Sequence, residues 1–134
     1  MRLVILATAA LALAACSAAA PASPTVTGTM TLVSASQDIM NKTATTCGGQ
    51  GGYGDIRDGT DVVVKDAAGV IIGTGRLAFA PDLDKRGNVC VWTFDVPTKA
   101  SDFYSLSVGH RDPVTYSQAE MEAQGWKVGL SLGP

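Results

Sequence analysis

The chain is predicted to be all-β, a small sandwich or barrel of about six or seven strands with one short helix before the last strand. Three observations lead there. From Thr25 onward, apolar and polar residues alternate with a period of two in successive short segments. Gly, Asp and Pro clusters separate those segments, as turns require. The strand–helix–strand rhythm that lays down a parallel sheet does not occur.

The chain begins differently. Met1 and Arg2 supply a short positive start, Leu3 to Leu13 an apolar run, and Ala14 and Ala15 small residues, the three-part build of a secretory signal. A membrane-spanning helix needs about 20 apolar residues, and this run is interrupted sooner, at Ser17 and Pro21. Leu13-Ala14-Ala15-Cys16 resembles the lipobox of bacterial lipoproteins. The resemblance implies that residues 1–15 are removed and that the Cys16 thiol receives a diacylglyceryl group. Two or more acyl chains such as palmitate hold a protein on its membrane, whereas one holds it weakly. The expected location is thus the cell membrane, lipid-anchored on the extracytoplasmic side. Residues 16–24 are the lipidated cysteine and a small, uncharged, Pro-containing linker, and residues 25–134 form a single β-rich domain.

Assigning Cys16 to lipid leaves Cys47 and Cys90 of the three cysteines. In an oxidising compartment such a pair is expected as a disulfide, the other reading being two buried thiols. Closing a loop of about 43 residues stabilises on the order of 4 kcal/mol in the chain-entropy model.

Within the domain, Val26, Gly28, Met30 and Leu32 face one way and Thr25, Thr27, Thr29 and Thr31 the other, a half-buried strand. Ser34 to Thr60 reads as irregular, with glycines at 48, 49, 51, 52 and 54. That run lacks the Gly-Lys-Ser/Thr ending of a phosphate-cradling loop. Asp61 to Asp66 and Val70 to Leu77 are strands joined by an Asp66–Gly69 turn, with Gly73 and Gly75 marking a bulge or a close backbone approach. Ala78 to Asn88 is a polar loop. Val89 to Val96 is a strand with Cys90, Trp92, Phe94 and Val96 on one face, and Pro97 ends it. Phe103 to His110 is the next strand, and Arg111-Asp112-Pro113 turns the chain. Ser117 and Glu120 form a capping box that opens a short helix ending near Gly125. Trp126 to Leu132 alternates again as the last strand.

After loss of the leader, 119 residues remain, with nine cations against twelve acids, a net charge of −3. This acidity argues against nucleic acid as a partner, and no polybasic stretch adds to the lipid anchor.

Groups able to do chemistry are sparse. The single histidine, His110, would act as a general base if a carboxylate such as Asp112 or Asp55 oriented it. The simpler reading makes it an edge residue in the turn at Pro113. The lack of a Gly-x-Ser-x-Gly nucleophile motif favours that, and no catalytic residue is expected. Asp55, Asp58 and Asp61 in one loop and Asp82 and Asp84 in another have the oxygen chemistry calcium prefers. They show no EF-hand spacing, and aspartates in turns commonly bond their own backbone. One histidine and no free cysteine pair do not make a zinc set. No metal or cofactor is therefore expected. Among aromatics, Trp92, Tyr104 and Trp126 lie on apolar strand faces and read as core, whereas Tyr53 and Tyr116 fall outside strands and read as exposed.

The segments Cys47–Ile56 (CGGQGGYGDI), Asp58–Asp66 (DGTDVVVKD), Cys90–Pro97 (CVWTFDVP), Phe103–Arg111 (FYSLSVGHR) and Val114–Met121 (VTYSQAEM) resemble a group of exported actinobacterial proteins without an assigned activity. The resemblance implies an extracytoplasmic β-rich domain and groups Tyr53, Asp55, His110, Arg111 and Tyr116 in one shared pattern, structural or binding; these five are the candidate binding residues. The expected function is a membrane-anchored, non-catalytic binding or interaction module for an envelope protein, glycan or small ligand. The alternatives are an envelope enzyme using His110 and a purely structural component.

Overall fold

The computed structural model describes residues 22–35, 39–83 and 85–133. The leader and Cys16 lie outside the described residues, as does Asp84. Among the described residues no helix is long and apolar enough to cross a membrane.

The long Thr-rich segment forms β1 (Thr25–Val33), followed by the short β2 (Met40–Lys42) and β3 (Cys47–Gly49) and a single 3₁₀ turn at Gly51–Tyr53. Then come β4 (Asp61–Lys65), β5 (Ile71–Arg76), β6 (Ala78–Phe79), β7 (Val89–Pro97) and β8 (Phe103–Val108). β9 (Val114–Ser117), α1 (Gln118–Ala123) and β10 (Lys127–Leu132) complete the described chain. Six of these strands, β1, β4, β5, β7, β8 and β10, are those the alternation located; β2, β3, β6 and β9 are additional. The sheets do not close into a barrel. One has the order β10-β1-β7-β6, the other β5-β4-β8-β9, and β2 pairs with β3 alone. The second sheet is antiparallel throughout, whereas β1 runs antiparallel to β7 and parallel to β10.

The alternation sets which side chains meet between the sheets. Val26, Met30 and Leu32 of β1 and Cys90, Trp92, Phe94 and Val96 of β7 face Val62, Val64, Tyr104, Leu106 and Val108 of the second sheet, all buried. Each such side chain stabilises the fold by roughly 1.5–3 kcal/mol relative to exposure. Gly28 is the inward position of β1 that carries no side chain, because a Cβ there would lie 2.4 Å from the Phe94 ring. On one side the sheets touch backbone to backbone: Cβ atoms on Gly73 and Gly75 would lie 2.6 Å from the carbonyl oxygens of Pro97 and Asp95. Both expectations for these glycines hold, since the β4–β5 register also shifts between Val64 and Lys65.

The local devices read from sequence are in place. Gly69 N–H donates to the Asp66 carbonyl at 3.0 Å, and the Asp66 carboxylate accepts from Ala68 N–H and Val70 N–H at 2.9 Å each. The Ser117 hydroxyl accepts from Glu120 N–H at 3.2 Å while the Glu120 carboxylate accepts from Ser117 N–H at 2.7 Å. Met121 buries the inner face of α1. Trp126 is not part of the last strand; it precedes β10 in a left-handed conformation, φ 62°, directly after Gly125 at 63°. That geometry costs a non-glycine residue about 1–2 kcal/mol. An edge-on contact with Tyr104 at 5.1 Å and a bond from Thr27 N–H to its carbonyl at 2.9 Å offset it.

Register defines the two ends of the sandwich. Thr25 sits opposite Pro97 and Lys127 opposite Thr27, so the entry of the N-terminal chain, α1 and the 98–102 connection share one end. There the Pro24 carbonyl accepts from both the N–H and the hydroxyl of the buried Thr98, at 2.8 and 3.0 Å. Val33 opposite Val89 and Val62 opposite Val108 place the excursion over residues 39–60 and the 109–113 turn at the other end. At about 3.3 Å per residue, a nine-residue strand such as β1 separates these ends by roughly 25 Å.

Candidate functional site

The glycine-rich excursion is held at two buried points. Cys47 is disulfide-bonded to Cys90 of β7, with Cα atoms 6.2 Å apart, and the Met40 sulfur lies 3.6 Å from Cys90 Sγ. Ile56 is fully buried and closes the loop by accepting from Gly49 N–H at 2.7 Å and donating to the Tyr53 carbonyl at 2.9 Å. Between these points the 3₁₀ turn forms, with Tyr53 N–H donating to the Gln50 carbonyl at 3.0 Å. The Thr60 hydroxyl donates to the Asp55 carbonyl at 2.6 Å and accepts from Arg57 N–H at 3.1 Å. Asp55 is thereby presented at a set position.

The β8–β9 turn meets it. Gly109 has φ 55°, and a Cβ there would lie 2.9 Å from Asp55 Oδ2, so only glycine brings the turn this close. His110 N–H donates to Asp55 Oδ2 at 3.2 Å. Arg111 Nε donates to the same oxygen at 3.1 Å, and its Nη2 donates to Asp55 Oδ1 and to the Gly52 carbonyl, the latter at 2.6 Å. The guanidinium centre lies 5.2 Å from the Tyr53 ring centroid, within cation–π range. Burial, the largest single influence on Asp55, pushes its pKa up. Hydrogen bonds from Arg111, the His110 amide and its own amide, with the Arg111 charge, together outweigh it and hold the carboxyl below its ordinary value.

Four of the expected binding residues, Tyr53, Asp55, His110 and Arg111, therefore converge at one end of the sandwich. Tyr116 does not. It lies on β9 opposite Tyr104, and β-strand alternation turns it inward, where it packs on the core. The expectation that Tyr53 and Tyr116 are exposed is corrected for the same reason, since both are half-buried against the core. Asp55 reaches His110 at the backbone amide, not at the ring, so it does not orient the imidazole. The loop aspartates are not gathered: Asp55 bonds Arg111, Asp58 accepts from Phe79 N–H at 2.5 Å, and Asp61 pairs with Arg76 at 3.5 Å. Among the described residues no group of three or more His, Cys, Asp or Glu side chains could hold a metal.

Sequence reasoning missed Gly52, Arg57 and Gly109. The Gly immediately before His110 was the available signal for the last. Arg57 is exposed at the rim of an open depression of about 480 Å³ floored by Gly52, Gly54 and the Asp55–Arg111 pair. Because Asp55 is spent on Arg111, Arg57 gives this rim a positive character. The arrangement offers hydrogen-bond donors and a cation on a shallow surface, which suits recognition of acceptor groups. No protein-family model, curated protein or solved structure matches the chain.

Proposed function

We propose that the chain is an extracytoplasmic lipoprotein, anchored to the cell membrane through Cys16, that acts as a non-catalytic binding module of the cell envelope. The observation that carries this reading is the separation of tether and site. The N-terminal chain enters beside Thr98 at one end of the sandwich, and Tyr53, Asp55, Arg57, His110 and Arg111 occupy the other. An anchored domain of this build holds its site away from the membrane.

Binding is favoured over catalysis because Asp55 is engaged by Arg111 and the His110 backbone amide and so does not orient the imidazole as a base. The open shape of the depression suits a strand of envelope glycan or a protein surface better than an enclosed small molecule. The disulfide supports an oxidising compartment.

The test is co-sedimentation of the full-length protein with isolated envelope wall material, comparing wild type with Arg57→Ala and His110→Ala. Loss of binding several-fold at unchanged thermal stability is the expected result; undiminished binding by both variants overturns the assignment of this end as the site.

A further inference from the structure

The tethered end carries its own surface. Five large apolar side chains stand out as exposed among the described residues, and three of them, Val70, Ile71 and Phe103, belong to this end, at 58, 54 and 45% exposure. They are neighbours by register. Ile71 is paired with Lys65, and Lys65 with Ser105. Phe103 lies two residues from Ser105 and so on the same outer face of the sheet. Val70 precedes Ile71 at the hairpin tip. Lys99 adds a second cation, its N–H bonded to the Ile72 carbonyl at 3.0 Å. Asp66 turns its carboxylate onto its own hairpin, and the exposed Asp102 directly precedes Phe103.

The position of this patch argues for what covers it. Ala22, the first described residue, lies at the same end, and it is only six Cα-to-Cα steps from Cys16. Six residues span at most about 20 Å when fully extended. A lipid on Cys16 would thus hold Val70, Ile71 and Phe103 within reach of the bilayer surface, where apolar side chains flanked by lysines suit the boundary between acyl chains and anionic headgroups.

We propose that Val70, Ile71, Phe103, Lys65 and Lys99 form a membrane-resting surface that contacts the lipid bilayer and fixes how the domain sits on it. This rests on the lipid-anchor reading. The lipid supplies the attachment, and the patch supplies a fixed orientation.

Amide hydrogen exchange tests this on the acylated full chain in vesicles of phosphatidylethanolamine and phosphatidylglycerol, against the soluble Cys16→Ser chain. Residues 66–71 and 102–104 are expected to exchange several-fold more slowly on vesicles, with 109–111 unchanged. The Ile71→Asp/Phe103→Asp chain is expected to lose that protection while still sedimenting with the vesicles. Sedimentation without protection at 66–71 overturns the membrane-resting surface and leaves the anchor standing. Failure of the wild-type chain to sediment overturns the anchor, and this surface with it.

Discussion

Asp55 and Arg111, 56 positions apart, are joined by a two-pronged ion pair in which Nε and Nη2 each reach a different carboxylate oxygen. The pair links the glycine-rich excursion to the β8–β9 turn, and both side chains are mostly enclosed, at 16 and 28% exposure. Arg111 also bonds the Gly52 carbonyl and covers Tyr53, so it ties three separate points of the site together.

Replacing Arg111 by Ala removes all of these contacts at once. Because solvent reaches the pair, the expected loss is roughly 1–2 kcal/mol, below that of a buried ion pair. Arg111→Lys should recover little of it, because an ammonium cannot reproduce the two-pronged geometry. Thermal unfolding of the variants measures both, and a Lys variant as stable as wild type would contradict the geometry.

Acid should act through Asp55. Its folded-state pKa is depressed, so its stabilisation is complete above the unfolded value, near the ordinary 3.8, and is lost as pH falls through the folded value. The stability difference between wild type and Asp55→Asn should therefore stay constant above about pH 5 and shrink below it. Denaturant unfolding at pH 7, 5 and 3 checks this; a difference that grows toward acid has the wrong sign.

Gly109→Ala meets two obstacles, a left-handed φ of 55° and an Asp55 oxygen 2.9 Å from the new methyl. Gly125→Ala meets only the first, with φ 63° and open space around it. The expected costs are about 1 kcal/mol for Gly125→Ala and about 2 or more for Gly109→Ala. Only Gly109→Ala should weaken retention on envelope wall material. Equal effects on both would mean that the turn does not approach Asp55 as described.

The Cys47–Cys90 bond spans 43 positions and pins the excursion to β7. Double replacement by Ala should cost on the order of 4 kcal/mol. Since Ile56 still anchors the far side of the loop, binding should fall less than stability at temperatures where the variant stays folded. Chemical denaturation and wall co-sedimentation measure the two separately.

What was legible in the sequence follows from the range of the forces involved. β1 and β10 each have one face more buried than the other, as does β7 from Thr93 onward, so their alternation is written in neighbouring residues. β9 has both faces largely exposed, and β2 and β3 are three residues each, too short for a period. Tyr53, Asp55, His110 and Arg111 could be singled out one by one. Their meeting depends on Val62 pairing with Val108, which brings the start of β4 beside the end of β8, and no local pattern encodes that register. Tyr116 lies in a strand that the sequence did not mark, and Arg57 carried no local signal at all.

The central proposal, a domain tethered through Cys16, is tested most directly by the intact mass of the protein extracted from membranes without reductant. The expected species begins at Cys16, carries diacylglyceryl and fatty-acyl groups on that residue, and is two hydrogens lighter for the Cys47–Cys90 bond. A chain that retains residues 1–15, or that begins with an unmodified Cys16, would contradict it.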